Sequence, residues 1–86
     1  MLNSIDEYLA KKIELNREYV VFTFFELRVK ENLSQKEILS FLHTISEKLL
    51  KLGYSVFRTN HNYYYNGESR KVKENELLVA IKNKNS

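Results

Sequence analysis

The sequence predicts a small α+β domain in which a three-stranded sheet carries one long and one short helix. Two capped amphipathic segments, Ser4 to Leu15 and Ser34 to Leu52, predict the helices. Asn66-Gly67 lies between two segments rich in β-formers and predicts a hairpin. The predicted order is therefore helix, strand, helix, strand, strand. The 86 residues suffice for one domain, residues 1–86, with a single core.

A capping box and an apolar stripe predict the first helix. Ser4 and Glu7 have the S-x-x-E spacing, in which hydroxyl and carboxylate satisfy two backbone N–H groups that would otherwise lack partners. Ile5, Leu9 and Ile13 recur at every fourth position and form the stripe. An isolated helix of about a dozen residues is marginal in water. We therefore expect this helix to dock on the sheet.

The first strand is predicted over Glu18 to Lys30. Its first half, Tyr19 to Phe25, is β-branched and aromatic without a helical stripe. Its second half alternates between apolar and charged residues, which predicts one dry face and one wet face. The first half is apolar on both faces, so Val20, Phe22 and Phe24 need a cover of their own.

Local signals at both ends predict the long helix. Ser34 and Glu37 form a second capping box, and Gly53 occupies the position where a left-handed residue ends a helix. The residues between them carry an apolar stripe that spans the whole segment. The stripe consists of Ile38, Phe41, Leu42, Ile45, Leu49 and Leu52.

Residues 54–82 are predicted to form one long hairpin with its tip near residues 60–73. If Tyr65 faces Glu68 across a type I′ turn, the same register pairs Val56 with Leu77, so that apolar residues meet at the base. A polar two-stranded ribbon is marginal alone in water. We therefore expect the outer half to bend at a bulge, to pack on another subunit or to order on a ligand. Residues 83–86 form a short polar tail.

The last strand, Glu76 to Lys82, is apolar on both faces and is predicted to lie in the middle of the sheet, giving the strand order 1-3-2. Val56 and Leu77 should then lie under the long helix, and Phe57 and Leu78 on the opposite face. Either the first helix or a second copy of the chain would cover that second face. We expect a homodimer, because an apolar patch would otherwise be exposed. The predicted oligomer interface is Val20, Phe22, Phe24 and Phe57.

Tyrosines and basic residues cluster near the tip of the hairpin. Aromatic rings stack on nucleic-acid bases and basic groups neutralise phosphates, so we predict nucleic-acid binding there. Strand alternation puts Tyr63, Tyr65 and Arg70 on one face, and Tyr64 and Lys71 on the other. The predicted site consists of Arg58, His61, Tyr63, Tyr64, Tyr65, Arg70, Lys71 and Lys73.

The same residues allow three other interpretations. In the first, the tyrosines on one face complete the core and the other residues brace the ribbon. In the second, the aromatic patch binds a partner protein, as in a small regulator or inhibitor encoded by a phage or mobile element. In the third, His61, a tyrosine and an arginine form the base, acid and phosphate clamp of a metal-independent RNase. Glu68, Glu74 and Glu76 weaken the electrostatic argument for nucleic acid.

Composition favours a non-enzymatic binding module. The sequence contains no cysteine, and His43 with Glu47 would supply at most two metal ligands, so we expect neither a metal site nor a cofactor. It contains neither a signal-peptide pattern nor the roughly 18 consecutive apolar residues that span a bilayer, so we expect a cytoplasmic protein without a membrane partner. The net charge of +3, from 14 basic and 11 acidic residues, modestly favours anionic partners.

Overall fold

A computed structural model describes residues 4–84 of the chain. Residues 1–3 and 85–86, which include the end of the predicted polar tail, lie outside the described part. The α+β class is confirmed. The elements are α1 (Ile5–Leu15), β1 (Tyr19–Thr23), a short π-helix (Glu26–Lys30), α2 (Gln35–Lys51), β2 (Tyr54–Arg58), β3 (Asn62–Tyr65), β4 (Glu68–Lys71) and β5 (Glu76–Lys82).

The strands form two sheets. The first is three-stranded with the order β1-β5-β2, and both outer strands run antiparallel to β5. The second contains only β3 and β4. The predicted order 1-3-2 counted three strands, whereas the described chain has five. Leu78, Val79 and Ala80 are buried, as expected for a central strand that is covered on both faces.

Both helices pack on the same face of the three-stranded sheet. The Phe22 ring on β1 lies 5.6 Å from the Phe41 ring of α2 and 6.0 Å from the Tyr8 ring of α1. Leu9, Ile45 and the rest of the α2 stripe are buried in this main core, except Leu52, which is half exposed. Of the two alternatives for covering the opposite face of the sheet, the one that assigned it to α1 is therefore wrong.

The predicted caps begin the helices where expected. Ser34 and Glu37 form a reciprocal capping box, with backbone-to-side-chain distances of 2.8 and 3.1 Å. Ser4 accepts a hydrogen bond from the Glu7 backbone N–H at 3.2 Å. Gly53 follows α2 with a positive φ of 89°, a conformation that glycine adopts without steric cost. No helix within residues 4–84 is long and apolar enough to cross a membrane.

The first strand is shorter than predicted and ends at Thr23. The Thr23 hydroxyl accepts a hydrogen bond from the Glu26 backbone N–H at 3.1 Å, and the chain then turns into the π-helix. Leu27 is fully buried, but Phe25 and Val29 are more than half exposed. The alternating pattern therefore reflects one buried anchor on a helical turn and not the dry face of a strand.

The hairpin register is confirmed at its tip and wrong at its base. Tyr65 faces Glu68, as the Asn-Gly turn predicts. Val56, however, faces Ala80 and not Leu77, so the register at the base is shifted by three residues. The extra residues lie in a turn on the returning chain, where the Glu76 backbone N–H donates to the Lys73 carbonyl at 3.1 Å.

The odd shift also exchanges the faces of the sheet. Tyr54 and Val56 share the helix-covered core with Leu78 and Ala80. Phe57 instead points to the second face, together with Val79 and Ile81. The expected grouping of Phe57 with Leu78 is therefore wrong, because adjacent residues of a strand point to opposite faces. Leu77, at the irregular register between Phe22 and Thr23 of β1, still packs against the helix-covered core with Val56, as expected.

The outer hairpin bends back and covers this second face. Tyr63 and Val72 are buried against Val79, and Phe57 and Tyr19 pack around them. The bend occurs at residues 59–61, where Asn60 has a φ of 72° and its backbone N–H donates to the Val72 carbonyl at 3.0 Å. Of the three alternatives for the outer hairpin, the structure shows the bend. The chain thus covers the second face of its own sheet.

Candidate functional site

Two inward tyrosines anchor the hairpin to the sheet. The Tyr63 ring stacks on Phe57 with a centroid distance of 5.4 Å, and its hydroxyl lies 2.7 Å from the Tyr19 hydroxyl. The Tyr65 ring packs on the Tyr19 ring at 4.9 Å. The structure therefore buries Tyr63 in a second core and packs the partly buried Tyr65 against it.

Tyr19 belongs to this anchor, although no pattern in the sequence indicates its contact with the hairpin. It lies at the start of β1, opposite Ile81, and meets Tyr63 only because the hairpin folds back. Burial, followed by the hydrogen bond with Tyr63, raises the pKa of Tyr19 to about 12. Its hydroxyl therefore stays neutral at physiological pH and serves as a hydrogen-bonding partner.

The outward face of the hairpin is available to a ligand. Tyr64 is 76% exposed, and its cross-strand neighbour is the small Ser69. Lys71 faces Asn62 and is therefore diagonal to Tyr64 on the same face. Within the described residues, no ion pair involves Lys71. This face thus presents an aromatic ring next to an uncompensated positive charge.

A cleft of about 420 Å³ lies between the hairpin and the sheet, on the side of the inward residues Tyr19 and Tyr63. Lys71 and Lys73 line it, and Arg70 lies over the Tyr65 ring at 5.2 Å. Arg70 Nη2 lies 3.6 Å from a Glu68 carboxylate oxygen, so part of its charge is balanced. A second lining carboxylate, Glu76, accepts a hydrogen bond from a backbone N–H. The lysine charges remain available to an anionic ligand.

Two residues of the predicted site lie elsewhere. Arg58 ends β2 and lines a different groove, together with Phe24 and Leu77. His61 lies in the bend and is exposed; its backbone N–H donates to Arg58 and its carbonyl accepts from Val72. The described residues include no hydrogen bond or ion pair of the His61 side chain. The RNase interpretation stays a prediction, and none of the side-chain hydrogen bonds of residues 4–84 joins His61 to a tyrosine or an arginine.

The residues of the predicted oligomer interface are also separated. Val20 and Phe22 are buried in the main core, and Phe57 is half buried beneath Tyr63. Only Phe24 is substantially exposed, at 48%. The premise that these residues would form an exposed patch on a monomer is therefore wrong. Dimerisation itself stays a prediction, without this argument for it.

A polar cluster that sequence reasoning missed joins α1 to the π-helix. The Glu26 carboxylate accepts hydrogen bonds from the Tyr8 hydroxyl and from Lys12 Nζ, the latter at 2.8 Å. Burial raises the pKa of Glu26 to about 7, and burial followed by the charge of Lys30 lowers the pKa of Lys12 to about 8. Desolvation therefore outweighs the attraction within the pair. The reversal of the chain after β1 that creates this cluster has no signal in the alternating sequence.

Neither similarity nor metal chemistry identifies the site. No protein-family model, curated protein or solved structure matches this chain. In the part of the chain that the structure describes, no three histidine, aspartate or glutamate side chains lie close enough together to hold a metal ion. A function can therefore be inferred only from the exposed surface.

Proposed function

We propose that this protein binds single-stranded nucleic acid through the outward face of the β3-β4 hairpin. The observation that supports this most is the exposed ring of Tyr64. Its neighbours Tyr63 and Tyr65 are drawn into the second core, whereas Tyr64 is 76% exposed on a strand that they hold in place. Stacking on a fixed aromatic ring contributes about 1–3 kcal/mol per base and tolerates any sequence.

Positive charge beside the ring supports the same function. Lys71 shares the outward face with Tyr64 and also lines the cleft on the inward side, together with Lys73 and Arg70. A nucleic-acid strand with a base on Tyr64 would bring its flanking phosphates toward these groups. For single-stranded nucleic acid, each phosphate contact adds about −0.7 to the slope of log K against log salt concentration. Three such contacts would give a slope of about −2.

Fluorescence anisotropy with a labelled single-stranded oligonucleotide of mixed sequence tests this proposal. We expect binding that weakens with added salt. Tyr64→Ala should reduce the affinity by the stacking contribution, and Lys71→Gln should reduce the salt slope by about 0.7. Lys36→Gln, a change of an exposed lysine on α2, is the matched control and should leave both unchanged. An affinity that does not change with salt concentration, or that Tyr64→Ala leaves unchanged, would contradict the proposal.

A protein partner is the second candidate function, and exposed apolar side chains outside the hairpin support it. Phe24, Phe25, Val29 and Leu39 are between 48% and 60% exposed. Contiguous apolar surface on a small domain often marks a contact with another protein. This surface differs from the tyrosine patch that the sequence suggested, because the inward tyrosines are already used by the fold.

A further inference from the structure

A second exposed feature lies between the π-helix, the start of α2 and the end of β2. It is a groove of about 330 Å³, at the lower end of the range of ligand sites in proteins. Its lining is mainly apolar, and Arg28 and Arg58 are its charged members. The apolar lining residues are Phe24, Ile38, Leu39, Leu42 and Leu77.

The charged residues that line this groove are all positive. Its lining includes two arginines and no aspartate or glutamate. Arg28 Nη1 donates to the Leu33 carbonyl at 3.1 Å, which fixes one edge of that guanidinium. Within residues 4–84, neither arginine forms an ion pair. Each guanidinium has five N–H donors, so both can bind a carboxylate without breaking an existing ion pair.

The rim of the groove indicates the shape of its ligand. Phe24 is 48% exposed and Leu39 is 60% exposed, so the apolar surface continues out of the groove to solvent. A segment that lies across the rim can therefore contact Phe24 and Leu39 outside the groove as well as the lining within it. The groove can accommodate one or two apolar side chains of a longer segment that lies across the rim.

We propose that this groove binds a short acidic amphipathic segment of a partner protein. Apolar side chains of the segment would enter between Phe24 and Leu39, and its carboxylates would pair with Arg28 and Arg58. An amphipathic helix that lays its apolar face in a groove is a common mode of peptide recognition. Charge complementarity selects acidic over basic segments, because the groove has no carboxylate to receive a lysine. The inference is independent of nucleic-acid binding, because no residue lines both this groove and the cleft beside the hairpin.

Selection from a displayed library of short random peptides on the immobilised wild-type protein tests this proposal. We expect the enriched peptides to combine leucine or phenylalanine with aspartate or glutamate. Anisotropy with a labelled synthetic copy of one such peptide should then show at least about a tenfold loss of affinity in the double variant Arg28→Glu/Arg58→Glu, equivalent to about 1.4 kcal/mol. Lys11→Glu changes an exposed charge on α1, a helix that contributes no residue to the lining of the groove, and is the matched control.

Two further measurements separate binding from a merely structural effect. A peptide in which lysines replace the acidic residues should bind the double variant better than it binds the wild type. Leu39→Glu changes a residue that is already 60% exposed, and it should weaken binding while the thermal midpoint stays unchanged. Enriched peptides without acidic residues, an absence of enriched peptides, or equal affinity for wild type and double variant would each overturn the proposal.

Discussion

The two adjacent tyrosines Tyr63 and Tyr64 provide the sharpest test of how the hairpin is used. Tyr63 is 5% exposed, stacks on Phe57 at 5.4 Å and hydrogen-bonds to Tyr19 at 2.7 Å. Removing a buried aromatic ring lowers the free energy of unfolding by about 3–5 kcal/mol. We therefore expect this loss for Tyr63→Ala. Tyr64→Ala removes a ring that touches little, and it should change stability by no more than about 0.5 kcal/mol.

Urea unfolding, followed by circular dichroism, measures both changes. A third variant, Tyr63→Phe, keeps the ring and removes the hydroxyl, so it should lose only about 0.5–1.5 kcal/mol for one hydrogen bond. The same three variants in the oligonucleotide assay should reverse the order, with Tyr64→Ala the most damaging to affinity. Equal stability losses for Tyr63→Ala and Tyr64→Ala would refute the reasoning, because they would mean that the two rings have similar surroundings.

Three further predictions concern other parts of the fold. Burial raises the pKa of Glu26 from 4.5 to about 7 in the folded state. The stability that Glu26 contributes should therefore be present below about pH 4.5 and be lost as the pH rises through 7. At 1.36 kcal/mol per pKa unit, the loss in the free energy of unfolding is up to about 3 kcal/mol. Urea unfolding against pH should show this fall for wild type and not for Glu26→Gln; a Glu26 pKa below 4.5, measured by NMR, would show that Lys12 dominates. Ser34→Ala removes the cap of α2 and should lower the free energy of unfolding by about 1 kcal/mol, and an unchanged urea midpoint would contradict that role. Gly67 has a φ of 78°, and no atom lies within 4 Å of a Cβ added there. Gly67→Ala should therefore lower the free energy of unfolding by about 1–2 kcal/mol through backbone strain alone. A larger loss in urea unfolding would indicate a contact that the structure lacks.

The parts of the fold that the sequence predicted well depend on neighbours along the chain. The capping box at Ser34 and Glu37 acts over one helical turn, and the Asn-Gly turn fixes the pairing of Tyr65 with Glu68. Both are local interactions whose residue types have few alternatives. The same holds for Gly53 at the end of α2, where the backbone conformation itself selects the residue.

The register at the base of the hairpin could not be predicted, because the apolar pattern of β5 is degenerate. Residues 77–81 are all apolar, so a shift of three residues still places Val56 opposite an apolar residue, Ala80 in place of Leu77. Strand alternation specifies a register only where one face is polar. The turn that causes the shift contains lysine, glutamate and asparagine, which are equally common in a polar ribbon.

The composition of the candidate site was predicted only in part for the same reason. Alternation correctly placed Tyr63 and Tyr64 on opposite faces of the hairpin. It could not show which face is buried, because that depends on the bend that folds the hairpin onto the sheet. Tyr19 contacts this tyrosine pair from a strand that is distant in sequence. Arg58 does not lie in the candidate site, because it precedes the bend and the hairpin turns away after it.

The central claim is that the β3-β4 hairpin folds onto the second sheet face, with Tyr63 inward and Tyr64 outward. Nuclear Overhauser effects in the free protein test it most directly. We expect contacts from the Tyr63 ring to the side chains of Phe57 and Val79, and a backbone contact across the ladder between Val56 and Ala80. Contacts between Val56 and Leu77 across the ladder, with no contact from Tyr63 to Val79, would contradict it.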